Sequence, residues 1–145
     1  MFKPKHGYIE KEALDYKLGK ELKKQFEDME IPVDILESNR VNFLRGKSVQ
    51  EKYEIGKRVL VIGVRRTLEF QSCKPSAHYQ LPLVTGCIGK CEYCYLNTNL
   101  KDKPFTRIYV NLDDILKKAK RYTQTGKFKP TIFEGSATSD PVPVE

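Results

Sequence analysis

The run Arg58-Val59-Leu60-Val61-Ile62-Gly63-Val64 constrains the fold more than any other stretch of the chain. It is apolar without alternation and rich in β-branched residues, which predicts a strand buried on both faces. A strand covered on both sides needs a layer above and a layer below, and helices packed on a parallel sheet supply them. Its surroundings fit that demand. Tyr8-Ile9 reads as a short strand, followed by a helix with Ala13, Leu14, Leu18, Leu22, Phe26 and Met29 on one face. Gly19 weakens that helix by about 1 kcal/mol relative to alanine. Ile31-Pro32 ends it, because the residue before a proline is pushed out of the helical region. Val33–Leu36 is then a strand at an edge or a strand start.

Residues 37–57 are polar, with a short helical segment at Gln50–Tyr53, and residues 65–80 read as a linking loop. Leu81–Gly86 predicts a short strand, and Lys103–Val110 leads into another. Asn111 caps a helix with Asp113 and Asp114 in its first turn and Lys117, Lys118, Lys120 and Arg121 near its end. Gly126 and Pro130 close it, and Thr131–Glu134 is a further strand. Strand, loop, helix, strand is the order of a parallel α/β fold. The expected organisation is an α/β domain over 1–78 followed by strand–helix units over 79–145. About two such units precede Glu145, too few to close a barrel, so the chain reads as a truncated piece, expected to be inactive or impaired by itself as an enzyme.

Between the strand at 81–86 and the next lies Cys87-Ile-Gly-Lys-Cys91-Glu-Tyr-Cys94-Tyr95. Thiolates are soft ligands for iron–sulfur clusters, zinc or copper(I). Three of them in a C-x3-C-x2-C spacing can hold three irons of a [4Fe-4S] cube and leave the fourth open to a substrate or cofactor, where a purely structural cluster takes four cysteines. Zinc is the rival, with Cys73 or His78 as fourth ligand, although structural zinc prefers two separated pairs.

The 26 Lys and Arg against 19 Asp and Glu give a formal charge of +7, which favours a polyanion such as nucleic acid and is equally compatible with a merely basic protein. No apolar run approaches the roughly 20 residues that span a bilayer. The start, Met1-Phe2-Lys3-Pro4-Lys5-His6, lacks the apolar stretch of a signal peptide. The expected compartment is the cytoplasm, where the four cysteines stay reduced.

A cysteine triplet of this spacing just after a strand, with an aromatic before its third member, resembles the radical S-adenosylmethionine superfamily. Within it, several segments resemble the spore photoproduct lyases: Val61–Leu68, Lys74-Pro75-Ser76-Ala77, Thr85-Gly86-Cys87, Cys91–Leu96, Lys103-Pro104, Tyr109-Val110-Asn111, and Phe133-Glu134 with Thr138-Ser139-Asp140. The resemblance covers essentially the whole chain. It implies that residues 79–145 begin a partial (βα)6 barrel, which family members continue further, and that Cys87, Cys91 and Cys94 ligate a [4Fe-4S] cluster. S-adenosyl-L-methionine on the open iron, cleaved by an electron from a donor such as ferredoxin or flavodoxin, gives a 5'-deoxyadenosyl radical. The substrate implied is DNA carrying the spore photoproduct thymine dimer, which the radical reverts to two thymines, in a cytoplasm that in a spore-former is the spore core. Tyr93 and Tyr95 match the hydrogen-relay tyrosines; Ser139, with Asp140, matches the cofactor contact. One departure stands out. Ala137 occupies the place of the family's hydrogen-donor cysteine, and a methyl group has no hydrogen weak enough to give up. An engineered replacement, another donor, another substrate, or a non-enzymatic iron–sulfur or DNA-binding piece would each account for it. Cys73, in the loop before the first barrel strand, reads as a plain thiol.

Overall fold

The computed structural model describes residues 2–100, 103–136 and 138–139. Five strands form one sheet: β1 (His6–Glu10), β2 (Val33–Leu36), β3 (Val59–Gly63), β5 (Val84–Thr85) and β6 (Thr106–Tyr109). Their order is β2-β1-β3-β6-β5, parallel except where β5 meets β6. β4 (Tyr79–Leu81) and β7 (Phe133–Gly135) make a separate parallel pair. The helices are α1 (Lys17–Asp28), α2 (Val49–Gly56), the single turn α3 (Leu96–Asn99) and α4 (Leu112–Thr125). The expected mixed α/β architecture with a parallel sheet is present.

All five residues of β3 are buried, as its unbroken apolar run requires. Leu60 and Ile62 pack with Ile9, Ala13 and Phe26, while Val59 and Val61 face Leu44 and Phe105 on the opposite side. Pairing of β3 with β6 carries the sheet across residue 78. A third cluster, built on Phe70, Tyr109 and Ile115 with Tyr79, Tyr122 and Phe133 around them, seats the β4–β7 pair against α4.

Four local expectations are corrected. The first helix is two pieces, a 3-10 turn over Lys11–Asp15 and then α1, with extended backbone at Tyr16 between them. Gly19 is the reason they can fold together, since a Cβ there would lie 1.9 Å from the Ala13 carbonyl oxygen. The strand expected at 81–86 is broken at Pro82, which has no N–H to donate, so its halves become β4 and β5 in different sheets. Asn111 stands at the N-cap of α4, with Asp113 and Asp114 in the first turn, but its side chain makes no capping bond. Its side-chain oxygen accepts the Arg65 N–H at 2.8 Å and its amide donates to the Arg65 carbonyl at 2.9 Å, clamping the exit of β3 to that of β6. α4 runs on to Thr125, so the basic residues 117–121 lie along its middle and its last turn has none. Among the described residues no helix is long and apolar enough to cross a membrane.

Candidate iron–sulfur loop and its surroundings

The cysteine loop leaves the sheet at Gly86, whose φ of +76° is a region open to glycine. A Cβ there would stand 2.2 Å from the Phe105 carbonyl oxygen, so strand β6 leaves no room for one. Beyond it, Cys87 and Cys94 are half-buried, Cys91 is exposed, and none of the four cysteines forms a disulfide. The Gly89 N–H donates to Cys87 Sγ at 3.3 Å. A Cβ on Gly89 would lie 3.3 Å from Cys87 Sγ and 3.7 Å from Cys91 Sγ, so the bare glycine keeps the space between two thiols open. The Cys94 N–H closes a turn on the Cys91 carbonyl at 3.2 Å, and α3 follows directly. Among the described residues no three His, Cys, Asp or Glu side chains are drawn together as a ligand cage. The donor set nevertheless suits a cluster: three thiols on one short loop, a glycine cradle between two of them, and an N–H aimed at sulfur.

Helix α2 braces this loop. Ser48 and Glu51 form a reciprocal capping box at its start, a Ser-x-x-Glu signal in the sequence that fixes where the helix begins. From its far end Lys57, 3% exposed, donates to the Cys87 carbonyl at 2.6 Å. Burial pulls the Lys57 ammonium below the ordinary lysine range, while Cys87, Cys94 and Cys91 push it back up. Glu54 of the same helix bonds Lys90 of the loop at 3.1 Å and Arg58 at 3.0 Å. Lys90, then Arg58, holds the Glu54 carboxyl below the usual range. Sequence reading passed over Lys57, because nothing in its neighbours separates a buried lysine from the many solvated ones.

The tyrosines expected to flank the loop are exposed, Tyr93 at 94% and Tyr95 at 61%, so neither is core packing. Ser139 Oγ is buried and has no hydrogen-bond partner among the described residues. Ala137 and Asp140 lie outside the described residues. Ser136 joins this region to the loop: its Oγ accepts the Val84 N–H at 2.9 Å and its N–H donates to the Leu81 carbonyl at 3.0 Å.

Neither proposed fourth zinc ligand is turned to the loop. His78 Nδ1 accepts the Ile132 N–H at 2.9 Å and its ring stacks on Phe128. Cys73 donates its thiol hydrogen to Glu134 Oε2 at 2.7 Å, and Ser76 donates to the same oxygen at 2.5 Å. The bond to Glu134, reinforced by burial, raises the Cys73 thiol above its ordinary range, and Glu134 is lowered in return. Folding therefore carries Cys73 onto β7, three residues before Ala137, despite its place in the preceding loop.

A family model for spore photoproduct lyase matches residues 2–145. A spore photoproduct lyase of Clostridium acetobutylicum is 53% identical over 137 residues, covering 94% of this chain and 41% of the relative. That of Bacillus subtilis strain 168 is 46% identical over 145 residues, covering 99% of this chain and 42% of its own length. Among solved structures, spore photoproduct lyase complexed with dinucleoside spore photoproduct superposes with a TM-score of 0.92 at 49% identity, over 99% of this chain and 42% of that one. A variant carrying two substitutions, with bound AdoMet and the same dinucleoside, gives 0.90 at 50% identity over the same shares.

Proposed function

Because the chain belongs to the spore photoproduct lyase family, we propose that it is the cluster-bearing part of a radical S-adenosylmethionine enzyme that reverts the spore photoproduct in DNA to two thymines. Cys87, Cys91 and Cys94 would hold the [4Fe-4S] cluster, and the glycine cradle at Gly89 is the observation that carries this assignment. When bound, the cluster and S-adenosylmethionine supply a 5'-deoxyadenosyl radical. The chain's own residues position and finish that chemistry. Ser139, with its unpartnered buried hydroxyl, and Asp140 would meet the cofactor. Tyr93 and Tyr95, exposed beside the loop, would relay hydrogen. The parallel pair β4 and β7 supports reading a barrel start within 79–145, while β5 and β6 extend the sheet of the α/β domain read over 1–78.

Ala137 cannot return a hydrogen to the thymine radical. Cys73 is the remaining thiol outside the loop, and its bond to Glu134 keeps the hydrogen on sulfur, the form a hydrogen-atom donor needs. Supporting a DNA partner, a cavity of about 580 Å³ beside Thr85 and Gly86 is lined by Arg40, Arg45, Lys103 and Arg107, with Arg107 Nε buried and without a partner among the described residues. Cations gathered in this way suit a phosphate backbone. A small electron donor such as ferredoxin or flavodoxin would reduce the cluster in the cytoplasm or spore core.

Anaerobic reconstitution with iron and sulfide tests the reading. The chain should take up four irons with visible absorbance, lost on Cys87→Ala, Cys91→Ala or Cys94→Ala. A colourless protein holding one zinc would overturn it. In a protein that carries the rest of the barrel, supplied with the dinucleoside lesion, S-adenosylmethionine and a reductant, Cys73→Ala should abolish thymine formation and leave cluster content unchanged.

A further inference from the structure

A lysine that is almost wholly buried must find compensation for its charge, because an ammonium removed from water without a partner is costly. Lys57 is 3% exposed, yet among the described residues it forms no ion pair with a carboxylate. Its contacts are the Cys87 carbonyl at 2.6 Å and the face of the Tyr53 ring, whose centroid is 5.3 Å from Nζ. The carbonyl end of α2 also lies at its own position, which favours a cation there. Through the Cys87 carbonyl its ammonium is seated on the loop that carries Cys87, Cys91 and Cys94, a loop that also bears Lys90. Lys90 is itself matched by Glu54, so it does not need the thiols; among the described residues Lys57 has no comparable partner.

We propose that Lys57 is the counter-charge of the iron–sulfur loop, a positioning residue whose ammonium both fixes the Cys87 carbonyl and raises the reduction potential of the cluster those thiolates hold. This rests on the cluster assignment made above. Three thiolates give the site a net negative charge that grows when the cluster accepts an electron. A fixed positive charge at close range therefore stabilises the reduced state more than the oxidised one, and cluster net charge and hydrogen bonding are established controls of potential. A lysine that only tied the loop to α2 would act through its hydrogen bond, and any donor of similar reach would replace it.

Two variants separate charge from hydrogen bonding. Lys57→Gln keeps a donor for the Cys87 carbonyl and removes the charge, while Lys57→Arg keeps both. Each is reconstituted anaerobically alongside the parent chain, iron is counted, and the midpoint potential is read from the spectroscopic signal of the reduced cluster. Lys57→Gln should bind the parent's complement of iron and shift the reduced-to-oxidised ratio at fixed potential by at least tenfold toward the oxidised form, about 59 mV for one electron. Lys57→Arg should stay within about twofold of the parent, the equilibrium scale on which a conserved charge is expected to register. Failure of Lys57→Gln alone to retain iron would overturn it, since the lysine would then hold the loop together and not set the potential of an assembled cluster. Equal potentials in Lys57→Gln and the parent, or equal loss of iron in both variants, would overturn it. If the parent chain takes up no iron, the cluster assignment fails first, and this inference with it.

Discussion

Gly46 and Gly86 share a φ of +76° and differ in everything around them, which makes them a matched pair. A Cβ on Gly46 meets nothing within 4 Å, whereas one on Gly86 would stand 2.2 Å from the Phe105 carbonyl oxygen. Gly46→Ala therefore isolates the cost of a left-handed backbone for an L-residue, about 1–2 kcal/mol, reduced by the lower entropy of the unfolded alanine chain. A net loss of about 1 kcal/mol is expected. Gly86→Ala bears the same term plus a steric one. A carbon must clear the Phe105 carbonyl by roughly 1 Å, and β6 is held by β3 on its other side, so an overpacking cost of about 1–3 kcal/mol is added. For a chain of this length each kcal/mol lowers Tm by about 2–4 °C, giving a drop of about 3 °C for Gly46→Ala and about 10 °C for Gly86→Ala. Thermal melts followed by circular dichroism measure both. The displaced strand end would also move Cys87, so Gly86→Ala should take up less iron than Gly46→Ala. Equal Tm losses would show that the close approach at Phe105 does not matter and that the loop's exit is set elsewhere.

The Cys73–Glu134 bond has two pH signatures. The thiol is raised by Glu134, so alkylation of Cys73 by iodoacetamide should have its midpoint above an ordinary thiol's, about 8.5; Glu134→Gln should bring it down, and an unchanged midpoint would refute the contact. Glu134 is lowered, by Cys73 first and Ser76 second, so its contribution to stability is present above the ordinary carboxylate value of about 4.3 and lost as pH falls through its folded value. Glu10, 3% exposed, accepts the Val64 N–H at 3.1 Å and pairs with Arg66 at the end of β3. Glu10→Ala should cost about 2–3 kcal/mol in urea unfolding, and a loss below about 1 kcal/mol would mean that water replaces the carboxylate at no penalty.

The residues that declared themselves in the sequence are those whose role is local. The unbroken run of β3 predicts burial on both faces because no polar residue interrupts it, and the structure buries every position. The cysteine triplet is legible because its candidate ligands are neighbours in sequence. What escaped depends on contacts between distant segments. Leu81–Gly86 has strand composition throughout, but the two halves flanking Pro82 answer to different partners, β7 and β6. Asn111 has the chemistry of a cap, and a clamp to Arg65, 46 residues away, takes its side chain instead. Lys57 looks like any other lysine until Cys87 folds over it, thirty residues further on. The Ser48–Glu51 capping box is the exception, a local signal that was simply overlooked.

Why a pair of three-residue strands persists apart from the main sheet is then a question with a physical answer. Two strands alone are marginal in water. β4 and β7 are held by an aromatic cluster in which Tyr79 and Phe133 meet Tyr122 and Phe70. Their ends carry the bonds that matter for the proposed chemistry. Ser136, just past β7, receives Val84 and reaches Leu81, which fixes the strand that launches the cysteine loop. Glu134, within β7, holds Cys73. In the proposed function, the loop that would start the radical and the thiol that would end it are therefore both anchored on one short strand pair. Loosening the aromatic cluster, for example at Phe133, would disturb both together, whereas a change at Glu134 reaches Cys73 without touching the serine that anchors the loop.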